Sequence, residues 1–228
     1  MINKKNTFIF LGIILLNTCL AYGQNLKWDS LSRPASYDIR REYFKKYSTS
    51  ESDIVFLGNS ITAGIDWNEL LNNSDAKNRG ISGDYTYGLL ERLFEISKGR
   101  PAKIFILIGV NDIAKNIPDG VIINNIERIV KELKSETPKT KIYLQTVLPV
   151  NNTYTKFAKS HFNKDEHIAA VNLGIKAVAK RQKVELIDLH PHFLDQKDRL
   201  NSLYTYDGLH LSARGYELWK SILQPYLN

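Results

Sequence analysis

The chain has 228 residues, of which 43% are hydrophobic and 24% charged, proportions that are ordinary for a globular protein with one buried core. Its formal net charge is +7, but the basic residues are scattered and form no arginine-rich stripe, so we expect no nucleic-acid partner. A single cysteine, Cys19, excludes a disulfide framework and a zinc site built on several cysteines.

The first residues of the chain have the pattern of a secretory signal peptide. Lys4-Lys5 precedes a mostly apolar run over residues 8–20, and Ala21-Tyr22-Gly23 places small residues before a cleavage site. We therefore predict a signal peptide over residues 1–23, a single mature domain over residues 24–228, and a secreted or periplasmic location. The apolar run is too short for a confident membrane span, so no stable membrane insertion is expected after cleavage.

Two alternatives stay open for this segment. Leu16-Asn17-Thr18-Cys19 resembles the lipid-attachment sequence of a lipoprotein, although Thr18 stands where a smaller residue is usual. An uncleaved anchor is the other alternative, but no clear stop-transfer pattern follows. Cleavage after Gly23 would remove Cys19 and would exclude a cysteine nucleophile in the mature protein.

Short runs rich in Ile, Val, Phe and Leu predict strands that are buried on both faces. They cover residues 54–57, 103–108, 141–148 and 184–189. A weaker run, residues 76–79, predicts a short edge strand. Because the apolar runs do not alternate cleanly with polar residues, they favour a sheet that helices cover on both sides.

Apolar residues at helical spacing lie between the predicted strands. They predict helices over residues 37–47, 85–97, 121–133, 165–180 and 212–223, the last with a serine N-cap. Strands that alternate with helices indicate an α/β fold with a parallel sheet. We find no internal repeat and no linker long enough to divide domains.

The longest irregular stretches, residues 149–164 and 191–211, each follow a predicted strand. Sites in open parallel sheets form outside the carboxyl ends of the strands, so functional residues are expected in these two loops. The glycines near strand ends match neither GxxxxGK[ST] nor GxGxxG, which argues against a nucleotide cofactor.

The stretch FLGNSIT, residues 56–62, places Ser60 just past a buried strand and at the start of a helix. A serine there has an exposed hydroxyl and an N–H near the positive end of the helix dipole. Taken alone, such a serine is most often only an N-cap. A nucleophile needs a base, and the sequence offers one in YDGLH, where Asp207 precedes His210 by three residues. At that spacing the carboxylate can orient the imidazole and leave Nε2 to act as the base.

Two glycine-containing motifs could supply hydrogen-bond donors. GISGD contains Gly83 and GVND contains Asn111, and both follow predicted strands. A backbone N–H at a glycine turn and an asparagine amide are suitable donors to a developing oxyanion. Asp84 and Asp112 adjoin these positions and are expected to hold the two turns by hydrogen bonds.

The motifs FLGNSIT, NRGISGD, IGVND and DGLHLSARGY occur in this order along the chain. In this combination the sequence resembles the SGNH branch of the GDSL-type serine esterases and lipases, over residues 54–219. The resemblance implies a three-layer α/β/α sandwich with a flavodoxin-like parallel sheet of about five strands. It implies no metal and no cofactor.

The resemblance also implies roles for five residues. Ser60 is expected to be the nucleophile, with Asp207 and His210 completing a catalytic triad. The oxyanion hole is expected to consist of the backbone N–H groups of Ser60 and Gly83 and the side-chain amide of Asn111. One neighbouring position departs from the family pattern, because the first motif usually reads Gly-Asp-Ser and here Asn59 replaces the aspartate. That aspartate is not a triad member, so the reaction class is expected to survive.

Several other polar or aromatic residues have a structural and a functional interpretation. His190-Pro191-His192 is predicted to be a loop rather than a metal pair, and His161 and His167 to lie in a surface loop and at a helix start, where they could border a substrate pocket. Three aromatic residues could line the site or belong to the core: Trp67, Tyr204 and Tyr206.

The motifs are most similar to those of bacterial carbohydrate O-acetylesterases and relatives of platelet-activating-factor acetylhydrolase. We therefore predict a serine esterase that removes small acyl groups, with O-acetyl as first choice, from a small-molecule or glycan ester such as an acetylated sialic acid or plant polysaccharide. A lysophospholipase or thioesterase is the alternative enzyme. A catalytically silent glycan-binding module on the same fold is an alternative of another class.

Overall fold

The computed structural model describes residues 28–155 and 159–227, so the predicted signal peptide lies outside the described residues. Five parallel strands form one sheet in the order β2-β1-β3-β4-β5. The strands are β1 (Ile54–Gly58), β2 (Ala76–Gly80), β3 (Lys103–Leu107), β4 (Lys141–Gln145) and β5 (Glu185–Ile187). This order is that of the flavodoxin-like doubly wound sheets, in which helices cover both faces. The α/β prediction is thus confirmed, including the edge strand β2.

The connections between strands are mainly helical. The α-helices are α1 (Tyr37–Lys46), α2 (Ser60–Ala63), α3 (Trp67–Leu71), α4 (Thr86–Glu91), α5 (Phe94–Ser97), α6 (Val110–Ala114), α7 (Asp119–Glu136), α8 (Asp165–Gln182) and α9 (Ala213–Leu227). Single 3₁₀ turns cover Lys159–His161 and His190–Phe193. Within the described residues, no helix has both the length and the apolar character needed to cross a bilayer.

A row of aromatic rings lies on one face of the sheet. Phe56, Phe105 and Tyr143 are register partners on β1, β3 and β4, and their rings stack with centroid distances of 5.1 and 4.4 Å. Trp67 of α3 stacks on Phe56 at 3.7 Å and meets Trp219 of α9 edge-on at 4.9 Å. Both tryptophans are fully buried, so α3 and α9 close this face of the core.

Helices α7 and α8 pack against one another and carry the other long apolar stripes. The stripe of α7 is fully buried at Ile122, Ile126, Ile129 and Leu133, as the helical spacing predicted. Successive residues of a strand point to opposite faces, so Val55 and Ile104 face away from the aromatic row. The sheet is therefore apolar on both faces, which explains why its strands do not alternate in sequence.

The predicted helix over residues 85–97 is divided into α4 and α5. At the break, the backbone N–H groups of Arg92 and Leu93 donate to the carbonyls of Leu89 and Leu90, three residues back instead of four. The side chain of Arg92 turns into the protein at this point and is fully buried. The division thus coincides with the burial of a charged side chain.

Strands β4 and β5 end earlier than predicted, at Gln145 and Ile187. Beyond β4, the N–H of Val147 donates to Oδ1 of Asn172 at 2.7 Å, and Nδ2 of Asn172 donates to the carbonyl of Val147 at 2.9 Å. A buried asparagine of α8 thus takes the place of a neighbouring strand. The apolar residues Val147 and Leu148 are buried all the same, which is why they resemble strand residues.

Candidate active site

Three side chains form a continuous hydrogen-bonded chain at the carboxyl end of the sheet. Oδ2 of Asp207 lies 2.6 Å from Nδ1 of His210, and Nε2 of His210 lies 3.0 Å from Oγ of Ser60. Ser60 follows β1, whereas Asp207 and His210 precede α9, and His210 lies 150 residues beyond Ser60 in the chain. The structure therefore brings together the three residues that the motifs singled out.

The local structure around Ser60 depends on its two predecessors. A Cβ atom at Gly58 would collide with the carbonyl oxygen of Leu107 and with the side chain of Thr62, so only glycine allows this approach of strand and helix. Asn59 is the N-cap of α2, and its Oδ1 accepts the N–H of Ile61 at 3.0 Å. Ser60 is the first residue of α2, so its own N–H belongs to the donors that have no partner within the helix.

Asn59 fills the cap position without a charge. It is 1% exposed, and its side-chain oxygen makes the hydrogen bond that an aspartate would make there. Replacement of the usual aspartate therefore preserves the geometry of the turn. What changes is the electrostatic potential beside Ser60.

The turn that carries Asp207 and His210 is held by Thr205. Its hydroxyl accepts the N–H of Gly208 at 2.9 Å and donates to the carbonyl of His210 at 2.6 Å. The other carboxylate oxygen of Asp207, Oδ1, accepts the N–H groups of Leu209 at 2.9 Å and His210 at 2.7 Å. The carboxylate is thus fixed on both oxygens, and the imidazole on its Nδ1 side.

These contacts also decide the ionisation of Asp207. Burial by itself would raise the pKa of this carboxyl, but hydrogen bonds from the ring and backbone of His210 and from the N–H of Leu209 outweigh it. The pKa of Asp207 is held below its ordinary value as a result. An ionised carboxylate in this position stabilises an imidazolium on His210.

Gly83 lies in the turn that follows β2. Its φ of +79° is in the left-handed region, which strongly favours glycine. Pro34 packs against it from outside, 3.1 Å from the position that a Cβ would occupy. Within residues 28–155 and 159–227, the backbone N–H of Gly83 has no hydrogen-bond acceptor. It is therefore a donor that an oxyanion could use.

Asn111 lies in the first turn of α6, after β3. Its Nδ2 donates to the backbone carbonyl of Asp84 at 2.9 Å, and its Oδ1 lies 2.9 Å from Nε2 of His161. The side chain is well buried, with 8% of the residue exposed. Because an amide nitrogen carries two hydrogens, one N–H remains for a substrate.

A buried arginine ties the strand ends together beneath these groups. The guanidinium of Arg92 donates to Oδ2 of Asp84 at 2.9 Å and to the carbonyls of Arg79 at 2.9 Å and Gly58 at 3.0 Å. Both members of the ion pair are 0% exposed. One side chain thus connects the ends of β1 and β2 to the loop that holds Gly83.

Asp112 forms a second buried polar cluster. Its carboxyl accepts the N–H of Thr86 at 3.1 Å and the hydroxyl of Thr86 at 2.6 Å. Nδ2 of Asn125, on α7, donates to the same hydroxyl at 3.0 Å. Burial raises the pKa of Asp112 to about 7, although the hydrogen bonds from Thr86 oppose the shift. Asp84 and Asp112 both hold their turns by hydrogen bonds, as the sequence predicted.

The three aromatic residues that could either line the site or belong to the core have different surroundings in the structure. Trp67 belongs to the core, and Tyr204 packs edge-on against Phe193 at 5.7 Å. Tyr206 is 65% exposed, and its ring lies nearly parallel to that of His210, 6.0 Å away. Only Tyr206 of the three thus combines exposure with contact to the Ser60–His210–Asp207 cluster.

The remaining histidines that the sequence singled out lie in different surroundings. His190 lies in a 3₁₀ turn with its Nδ1 2.9 Å from the carbonyl of Val147, which is a structural contact. His167, in the first turn of α8, contacts Asp119 at 3.1 Å. His161 meets Asn111 directly, so it belongs to the site.

Sequence reasoning missed three supporting residues: Arg92, Thr86 and Thr205. A signal existed for the first of them. Arg92 lies three residues after Leu89 and four before Ile96, both fully buried, so helical spacing puts its charge on the apolar face. A charge at such a position is rarely buried unless it is paired.

Comparison with known proteins agrees with this geometry. The sequence pattern of the GDSL-like lipase/acylhydrolase family matches residues 56–218. The alpha2 subunit of platelet-activating factor acetylhydrolase IB from Rattus norvegicus is 28% identical over 173 residues, which cover 73% of this chain and 72% of the rat protein.

Solved structures are similar as well. A Streptococcus pneumonia protein described as a candidate platelet activating factor superposes with a TM-score of 0.78 and 33% identity, covering 85% of this chain and 93% of the other. A GDSL-like lipase from Bacteroides thetaiotaomicron has a TM-score of 0.72 and 26% identity, covering 83% and 96%. The chain therefore belongs to the GDSL-like lipase/acylhydrolase family and is a serine ester hydrolase.

Proposed function

We propose that Ser60, His210 and Asp207 are the catalytic triad, and that Ser60 carries the acyl group during turnover. The observation that carries the proposal is the chain of contacts at 2.6 and 3.0 Å from Asp207 through His210 to Ser60. These distances are those of a nucleophile, its base and the group that orients the base.

In the first half-reaction, Nε2 of His210 takes the hydroxyl proton as Oγ of Ser60 bonds to the ester carbonyl carbon. The carbonyl electrons move to the oxygen, and the resulting imidazolium is stabilised by the Asp207 carboxylate. The tetrahedral intermediate collapses when its bond to the leaving oxygen breaks, and His210 gives the proton to that oxygen. An alcohol leaves and an acyl-enzyme remains.

In the second half-reaction, water takes the place of Ser60. His210 removes a proton from the water as its oxygen attacks the acyl carbon, and the bond to Oγ of Ser60 then breaks. Ser60 regains its proton from His210, and the carboxylic acid departs. The triad is regenerated, so each turnover consumes one ester and one water and releases one alcohol and one carboxylic acid.

The oxyanion of both intermediates is proposed to bind three donors: the N–H groups of Ser60 and Gly83 and the remaining Nδ2–H of Asn111. Each of these groups follows a different parallel strand, so they converge at the carboxyl end of the sheet. Loss of one such donor typically costs about 10²–10³ in kcat.

For the substrate, we propose a short acyl ester, with acetyl as first choice, on a carbohydrate. The name of the rat relative specifies removal of an acetyl group, which supports the short acyl chain. The exposed ring of Tyr206 beside His210 supports a ring-shaped alcohol, because the flat apolar face of an aromatic side chain packs well against a sugar ring. A lysophospholipase or thioesterase is the second candidate, supported by the GDSL-like lipase from Bacteroides thetaiotaomicron.

Acyl specificity separates the two candidates. We expect kcat/KM to be higher for p-nitrophenyl acetate than for p-nitrophenyl octanoate, and release of acetate from O-acetylated sialic acid or acetyl-xylan. Preference for octanoate with turnover of lysophospholipid would refute the short-acyl proposal in favour of the second candidate. Ser60→Ala should abolish turnover of every ester, and retained turnover in this variant would remove Ser60 from the mechanism.

A fluorophosphonate probe tests the enzyme against a silent glycan-binding module. The wild-type protein should be labelled and Ser60→Ala should not. Absence of labelling in the wild type would favour the binding module, whereas labelling of Ser60→Ala would point to another nucleophile.

We also propose that the protein is exported, with residues 1–23 as a cleaved signal peptide. The apolar run at residues 8–20 and the small residues at Ala21 and Gly23 support this proposal. Sequencing of the secreted or periplasmic protein should begin at Gln24. Incorporation of labelled palmitate at Cys19 would instead identify a lipoprotein.

A further inference from the structure

His161 contacts a proposed oxyanion donor from a loop that the triad does not use. It lies in the 3₁₀ turn Lys159–His161, beyond β4, and is half-buried. Its Nε2 is 2.9 Å from Oδ1 of Asn111, and its Nδ1 is 3.3 Å from the hydroxyl of Ser160. The contact joins two segments that are 50 residues apart in sequence.

The hydrogen-bonding partners of Asn111 determine which way its amide points. The backbone carbonyl of Asp84 can only accept a hydrogen bond, so the Asn111 atom 2.9 Å from it must be the nitrogen. The amide oxygen is then the atom that faces His161. Because that oxygen is itself only an acceptor, Nε2 of His161 must carry a proton.

We propose that His161 is a positioning residue for Asn111, and that its Nε2–H holds the amide so that the second Nδ2–H stays available to the oxyanion. The inference rests on the proposed role of Asn111 in the reaction. With Asp84 on the nitrogen and His161 on the oxygen, the amide cannot turn over without losing two hydrogen bonds. Without His161, only the carbonyl of Asp84 opposes that rotation.

The hydrogen bond from His161 to Oδ1 of Asn111 also makes the remaining Nδ2–H of Asn111 a stronger donor. A proton donated to an amide oxygen draws electron density from the nitrogen, so the remaining N–H becomes a better donor. The effect is largest when charge develops on the substrate oxygen, which occurs in the transition state. Loss of His161 should therefore lower kcat more than it changes KM.

Two variants at position 161 separate hydrogen bonding from bulk. His161→Phe keeps a ring but has no donor, and His161→Gln replaces the ring by an amide that can donate from a similar distance. We expect His161→Phe to lower kcat for p-nitrophenyl acetate by roughly 10–100-fold, the range found when the hydrogen-bonding partner of a metal ligand is removed. KM should change little, and His161→Gln should recover most of the loss. Equal kcat in His161→Phe and wild type would overturn the proposal, as would equal losses in both variants.

A double-mutant cycle tests whether His161 acts through Asn111. Asn111→Ala alone should cost about 10²–10³ in kcat, and His161→Phe should have almost no further effect in that background. A loss of the same size in both backgrounds would mean that His161 acts on the substrate or the fold directly, which would overturn the positioning role. Unchanged thermal midpoints in the two His161 variants would exclude a merely structural effect.

A measurement without turnover separates this inference from the proposed function. ¹⁵N NMR of the neutral His161 ring in the Ser60→Ala protein should show the Nε2–H tautomer, and the population of this tautomer should fall in Ser60→Ala/Asn111→Ala. A dominant Nδ1–H tautomer in Ser60→Ala would overturn the inference even if the wild-type protein is an active esterase. An inactive wild-type protein would instead defeat the proposed function, whatever the tautomer.

Discussion

Replacement of Arg92 by methionine should cost the protein both stability and activity. The guanidinium of Arg92 is fully buried and donates to Oδ2 of Asp84 at 2.9 Å and to the carbonyls of Arg79 at 2.9 Å and Gly58 at 3.0 Å. Methionine fills much of the same space but has neither charge nor donor. The substitution therefore leaves the buried Asp84 carboxylate without its charged partner and removes one donor from each of the two carbonyls. The Gly58 carbonyl keeps the N–H of Ile81 at 3.1 Å.

The size of the loss follows from these three contacts. Removal of one member of a buried ion pair typically destabilises a protein by about 3–5 kcal/mol. Loss of the guanidinium donor at the Arg79 carbonyl adds about 1–3 kcal/mol, the loss at Gly58 adds less because Ile81 still donates to it, and protonation of Asp84 relieves part of the total. We expect a net loss of about 5 kcal/mol, which is a large fraction of the roughly 5–15 kcal/mol that stabilises an ordinary domain.

Urea unfolding followed by tryptophan fluorescence measures this loss, because Trp67 and Trp219 are both fully buried. The matched control is Arg181→Met, which removes an exposed ion pair with Glu127 and should leave the urea midpoint nearly unchanged. A loss below about 1 kcal/mol in Arg92→Met would refute the view that the buried ion pair supports the fold.

The double variant Arg92→Met/Asp84→Asn shows whether the uncompensated carboxylate causes the loss. It should be more stable than Arg92→Met alone, because no charge is left buried. Strict additivity of the two single substitutions would contradict this reasoning. Esterase activity should fall further than the unfolded fraction explains, since Arg92 connects the strand end before Ser60 to the loop of Gly83.

Substitutions at three further positions test separate parts of the site. Asp207→Asn should lower kcat by about 10⁴, the loss found when the aspartate of a Ser-His-Asp triad is replaced, with an unchanged circular dichroism spectrum. Wild-type turnover would remove Asp207 from the proposed triad. Burial raises the pKa of Asp112 to about 7, whereas in the unfolded chain this carboxyl loses its proton near its ordinary pKa of about 4. The free energy of unfolding should therefore fall as the pH rises from about 4 to about 7. In urea unfolding across this range, Asp112→Asn should make that fall shallower, and a slope equal to that of the wild type would contradict the shifted pKa. Asn59→Asp should keep kcat of the same order, because aspartate keeps the acceptor for the N–H of Ile61. Asn59→Ala loses that acceptor and should lower the free energy of unfolding by about 1 kcal/mol in the same assay. Equal stability of the two variants would argue that Asn59 does not cap α2.

The elements that the sequence predicted well are those whose residues interact nearby in the chain. The runs at residues 54–57 and 103–108 are almost wholly apolar, which identified them as buried strands, and both are strands in the structure. The apolar stripe of helix α7 was visible in the sequence, because a helix that packs on one side needs apolar residues that recur with a period of 3.6. Strand ends gather at one edge of a parallel sheet, so motifs placed after strands were expected to meet.

The features that were missed depend on partners far away in sequence. Strand β4 ends at Gln145 because Asn172, on α8, takes over the hydrogen bonds of Val147. His161 meets Asn111 across 50 residues, from a loop with no periodic pattern. Sequence reasoning restricted His161 to a surface loop near the substrate, and only the fold could show which polar group it contacts.

The turns that carry two of the proposed oxyanion donors, Gly83 and Asn111, are held in place by hydrogen bonds from other parts of the chain. Gly83 has a left-handed backbone conformation, which a glycine leaves easily when nothing restrains it. The next residue, Asp84, restrains it in two ways, because its carboxylate pairs with Arg92 and its carbonyl accepts a hydrogen bond from Asn111. The two donors are therefore coupled through Asp84, and a change at either one should be felt at the other. His161 adds a further restraint on the amide of Asn111. Turnover and stability in this enzyme should accordingly depend on the same buried polar contacts. Variants of Arg92 should mainly lower the free energy of unfolding, and variants of His161 should mainly lower kcat.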